Sequence, residues 1–194
     1  MKTLLTTHKH SINECLLQVN LLFQNFEKFI DIHLPQRLNL KTNYISYIEP
    51  VHYGTIMPKE EKDIYLKSLK NHGFKIESRF KSSIVANYLK RKYHRNNIDI
   101  QIIKLINSKK WQIELFIPVS GLNKKEWSDE KPYISHFALK MIQKKKGIIS
   151  NIFLLNGFKL TDKGTNPQEQ STTLYYQKLS KLNKPIKLEV FQKI

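Results

Sequence analysis

The chain has 194 residues, 40% hydrophobic and 11% aromatic, enough to bury a core as one ordinary domain or two small similar halves; the composition excludes a disordered protein. A single cysteine, Cys15, excludes an internal disulfide and a cysteine-based zinc site. No apolar run approaches about 18 residues and the opening is polar and basic, so neither a membrane span nor a secretory signal is expected, and the sequence reads as soluble and cytoplasmic.

In chain order, "HSINECLLQVNLLFQNFEKFIDIHL" places Ile12, Leu16, Val19, Phe23, Phe26 and Ile30 at helical spacing behind Ser11 and Glu14, which have the spacing of a capping box. The segment "NYISYIEPV" predicts a strand ending at Pro50, and Lys59 to His72 a helix with acidic residues in its first turn and Gly73 as its stop. "FKIESRF" alternates as a strand does. The stretch Ser82 to Asn96 is open between strand, helix and basic hairpin. "IDIQIIKLI" and "WQIELFIPV" then form an antiparallel hairpin around "NSKK".

After the loop Ser120 to Pro132 the order repeats: a strand "YISHFALKM", a helical region within Ile142 to Leu155, a strand near "GFKL" and the polar loop "TDKGTNPQEQS". A hairpin of "TTLYYQKL" and "IKLEVFQKI" closes the chain. Asn166, Gln168 and Gln170 in the polar loop offer amides to a polar ligand, or form a plain surface turn on Gly164 and Pro167. Two word pairs mark the edges of the repeat: "YISY" with "YISH", and "IELF" with "LEVF". The expected class is therefore α+β, two tandem βαβββ units forming a curved mixed sheet behind an N-terminal helical extension. Its boundaries are 1–40 for the extension, 41–119 for the first unit and 120–194 for the second.

The net charge of +17 points toward nucleic acid or an acidic partner, and "LKRKYHRNN" supplies the densest surface for it, with Lys90, Arg91, Lys92 and Arg95 interleaved by Tyr93 and His94. Only four of the 33 basic residues are arginine, the side chain that base-reading surfaces favour for its bidentate fork.

Two βαβββ units carrying "SHFALKM" and "IKLEVFQ" resemble the vicinal oxygen chelate superfamily, which includes glyoxalases and extradiol dioxygenases. The helix before the first unit and "WQIELFIPVSG" are similar to its YecM-like and 2-oxoadipate dioxygenase-like members. The resemblance implies a site for a divalent ion such as Fe, Mn, Ni or Zn, with ligands from the first and last strands of each unit. It nominates His136 and Glu189 from the second unit and Glu114 from the first. Tyr44, Tyr47 or the fallback His52 fills the fourth position, and Glu189 and Tyr47 are the catalytic side chains. A small oxygen-rich molecule as ligand and a homodimer are also implied. The other reading is a non-catalytic basic protein that binds nucleic acid or an acidic partner.

Overall fold

The computed structural model describes residues 2–34, 45–143, 147–166, 171–179 and 185–193. These residues form seven α-helices, a 3-10 turn and eight strands, the α+β class expected from the sequence. None of these helices is long and apolar enough to cross a membrane. The chain divides into two compact units, residues 1–20 with 53–135 and residues 21–52 with 136–194.

In the first unit the strand order is β2 (Lys75–Lys81), β3 (Asp99–Ile106), β4 (Gln112–Ser120), then β1 (Ile45–Ile56), whose last residues belong here. β1 runs parallel to β4, and the other pairs are antiparallel. Strand alternation buries Ile103 and Leu105 of β3 and Ile113 and Leu115 of β4 on one face. On the other, Ile100, Ile102 and Phe116 join Ile56, Leu89, Trp127 and Ile134 in a core. Each such side chain withdrawn from water contributes about 1.5–3 kcal/mol.

The open stretch 82–96 is helical, as α4 (Ser83–Tyr93). Ser82 caps it by accepting from the Val85 N–H at 3.3 Å, Ala86 and Leu89 give it a buried stripe, and His94 ends it in the left-handed region at φ 52°. The helix expected from Lys59 is a 3-10 turn (Lys59–Glu61) followed by α3 (Lys62–Asn71), stopped by Gly73 at φ +82°. Two short helices, α5 (Lys124–Asp129) and α6 (Lys131–Ile134), close the unit.

In the second unit the order is β5 (His136–Gln143), β8 (Pro185–Lys193), β7 (Ser171–Leu179), β6 (Lys159–Asn166). β5 and β8 are parallel, and the other two pairs are antiparallel. Phe137, Leu139, Met141, Leu188, Val190, Leu174 and Tyr176 are buried on one face. There Phe153 of α7 (Ile148–Leu155) stacks on Tyr176 at 4.5 Å, and Phe29 of α2 (Phe26–His33) meets Phe137 at 4.8 Å. With that face closed, the side chains of the alternate positions are left for chemistry.

Four local expectations are corrected. The single N-terminal helix is two, α1 (Lys2–Phe23) and α2, and because α1 begins at Lys2 the positions Ser11 and Glu14 lie inside it and not at its start. Strand β1 continues past Pro50 to Ile56; its pairing with β4 covers only 53–56, so the missing N–H of Pro50 removes no bond to β4. The strand expected from Tyr133 starts at His136, because Lys131–Ile134 with Pro132 near its start is helical. The polar loop from Thr161 is strand as far as Asn166, while Gln168 and Gln170 lie outside the described residues.

Candidate metal centre

The open face of the second unit is built by register. Alternation along β5 puts His136, Ala138 and Lys140 on one face, and the parallel register sets Ala138 opposite Glu189 of β8. The antiparallel register of β7 with β8 sets Tyr175 opposite Glu189 in turn. His52 enters from the part of β1 that belongs to this unit.

His52, His136 and Glu189 converge. The two Nε2 atoms lie 3.0 Å apart, and Glu189 Oε2 lies 3.0 Å from His136 Nε2 and 3.3 Å from His52 Nε2. All three residues are buried, at 5%, 6% and 7% exposure respectively for His52, His136 and Glu189. Burial by itself would raise the Glu189 carboxyl, but the hydrogen bonds from His136 and His52 outweigh it and hold the carboxyl well below the usual carboxylate range. The Tyr175 hydroxyl donates to the other oxygen, Oε1, at 2.8 Å. Phe191, whose ring lies 6.3 Å from that of His52, adds an apolar wall.

Three donor atoms aimed at one point can hold a positive ion between them. Two imidazole nitrogens 3.0 Å apart share at most one proton, and both also face one carboxylate oxygen. Donors bound to an ion at roughly 2.1 Å stand about 3.0 Å apart at right angles and about 3.4 Å apart in a tetrahedron. The observed spacings of 3.0, 3.0 and 3.3 Å fall in that range. Two imidazole nitrogens and one carboxylate are also the donor set that suits Fe(II), Mn(II), Ni(II) and Zn(II).

The residues nominated from sequence are thus partly gathered. His136, Glu189 and the fallback His52 come together. Glu114 is half-buried on β4, opposite Gly54 of β1 and Lys104 of β3. Tyr47 is exposed, its hydroxyl donating to Glu49, which also accepts from Lys140 Nζ at 2.8 Å; Tyr44 lies outside the described residues. In the basic segment, Lys92 is paired with Glu130 at 2.8 Å and Arg95 with Glu126 at 2.8 Å, so two of the four cations are already neutralised within the unit. Lys90 and Arg91 are on the same helix, α4.

The registers also correct the alignment of the two halves. Glu114 stands opposite Gly54 and Glu189 opposite Ala138, so the counterpart of His136 is His52, two residues before Gly54, and neither Tyr44 nor Tyr47. Sequence reasoning missed Tyr175 and Lys187, both beside Glu189; the recurrence of a glutamate within "LEVF" was the available signal for that neighbourhood.

No family model matches the sequence, and no curated protein matches it. Among solved structures it is similar to a triple mutant of 4-hydroxymandelate synthase from Streptomyces coelicolor, at 8% identity and TM-score 0.47, over 76% of this chain and 49% of that one. The chain thus spans about half the length of that synthase. A hypothetical protein from Bacillus halodurans C-125 is similar at 16% identity and TM-score 0.48, over 76% of this chain and 95% of that one. A glyoxalase family protein from Bacillus cereus is similar at 10% identity and TM-score 0.27, over 73% and 93% of the two chains.

Proposed function

We propose that the chain is a divalent-metal-dependent enzyme, or a metal-carrying binder of a small oxygen-rich molecule, of the vicinal oxygen chelate type. The YecM-like and 2-oxoadipate dioxygenase-like members remain the proposed relatives within that type. The observation that carries the reading is the buried triangle of His52 Nε2, His136 Nε2 and Glu189 Oε2, with sides of 3.0 to 3.3 Å. Glu114 holds in the first unit the register place that Glu189 holds in the second.

A divalent ion held there supplies Lewis-acid polarisation of a substrate oxygen. The protein's own groups do the rest. Against its burial, the imidazole hydrogen bonds keep Glu189 ionised, so it holds a fixed negative charge on the face at neutral pH. Phe191 excludes water from the flank of His52. Glu189 and Tyr47 remain the proposed catalytic side chains. The bond to Glu49 raises the Tyr47 hydroxyl pKa, which suits it to hydrogen-bond donation.

Metal analysis of protein purified without an affinity tag tests the reading. Near-stoichiometric divalent metal is expected in the wild type and is lost in His136→Ala and His52→Ala. Absence of metal under every loading condition sinks the proposal.

A further inference from the structure

The two oxygens of Glu189 have separate partners. Oε2 faces both imidazoles, at 3.0 and 3.3 Å, while Oε1 accepts from the Tyr175 hydroxyl at 2.8 Å. Tyr175 reaches it from the facing position of the next strand, a pairing fixed by seven further register pairs of β7 with β8. Lys187, two residues before Glu189 and hence on the same face, holds its Nζ 5.3 Å from the centre of the Tyr175 ring. A cation over the ring orients it and draws electron density from the hydroxyl, which strengthens its donation. In the first unit the residue opposite Glu114 on β3 is Lys104, which pairs with Glu77 at 3.1 Å.

We infer that Tyr175, steadied by Lys187, is a positioning residue that ties down Glu189 Oε1 and leaves Oε2 alone for the metal. The inference rests on the metal reading above. A carboxylate held by one oxygen keeps a coordination position open that a two-oxygen carboxylate would fill. Outer hydrogen bonds of this kind typically change metal affinity by about 10- to 100-fold.

Cobalt(II) titration followed by visible absorption tests this on the whole chain. Tyr175→Phe is expected to bind cobalt about 10- to 100-fold more weakly and to change the intensity of the d–d bands, as the freed carboxylate takes a second position. Tyr176→Phe is the control: its hydroxyl donates to Ser150 Oγ at 2.8 Å on the closed face, so the cobalt spectrum should not move. An apo melting temperature close to wild type shows that Tyr175→Phe is folded. Should it not fold, Lys187→Met carries the test, with a smaller band change in the same direction. Wild-type affinity and bands in the folded variant overturn the inference while the metal reading stands; a folded wild type that takes no cobalt overturns both.

Discussion

His52 and His136 occupy the same place in two copies of one pattern: each precedes by two residues the small side chain, Gly54 or Ala138, that faces a strand glutamate. Their Nε2 atoms are 3.0 Å apart. The two rings should therefore matter equally. Alanine at either position is expected to weaken divalent-ion binding by more than about a hundredfold, beyond the range for outer-sphere partners. Tyr47→Phe should leave affinity unchanged. Calorimetric titration of the apo protein measures all three, and strong binding by His52→Ala would break the equivalence.

The equivalence was present in the sequence, in words other than the obvious ones. "VHYGTI" and "SHFALK" share histidine, aromatic, small residue in order, whereas "YISY" and "YISH" share letters but not structure. Ile45 lies in β1, while its counterpart Ile134 lies in the helical α6. A recurring Tyr-Ile-Ser word carries no register, because register is set by which residue faces which across a ladder. Pro50 added to the misreading by suggesting a strand end before His52. Glu114 and Glu189 were legible because a carboxylate among large apolar strand residues stands out. Tyr175 was not, since its meeting with Glu189 depends on how β7 and β8 pair.

His33 gives a pH dependence in the second unit. Its ring packs against Phe29 at 4.9 Å and Phe137 at 5.2 Å, and neither ring nitrogen has a hydrogen-bond partner among the described residues. Burial lowers its pKa, so the unfolded chain takes up the proton first as pH falls. Stability from this group is present above the ordinary histidine value of 6.5 and declines below it. The slope is at most about 1.4 kcal/mol per pH unit. His33→Phe is expected to remove that decline, so that urea melts at pH 7 and pH 5.5 lie closer together than in the wild type. An unchanged gap would contradict the assignment.

Cys15 should be inert while the chain is folded. It is 2% exposed, and burial pushes its thiol up to about 12 against a hydrogen bond with Tyr65 that lowers it. Thiolate is the reactive form, so a chromogenic disulfide reagent at pH 8 should label the native protein only at the rate of unfolding. Labelling should become immediate in denaturant. Prompt reaction of the native protein would place Cys15 elsewhere than in the core.

Glu130 is fully buried and accepts from the Tyr93 hydroxyl at 2.6 Å, the Tyr88 hydroxyl at 3.3 Å and Lys92 Nζ at 2.8 Å. The same ammonium lies 4.6 Å from the Tyr133 ring centre. Removing one partner of a buried ion pair costs up to about 3–5 kcal/mol, and the hydroxyls that remain on Glu130 lower that to about 2 kcal/mol for Lys92→Met. Adding Glu130→Gln removes the stranded charge, so the double variant should recover part of the loss; additive losses in urea melts would show no coupling. The same pair bears on nucleic acid. With Lys92 and Arg95 committed to Glu130 and Glu126, binding through this helix falls to Lys90 and Arg91. Reversing those two charges should leave salt-dependent retention on immobilised DNA unchanged, and a steep loss would support the nucleic-acid reading.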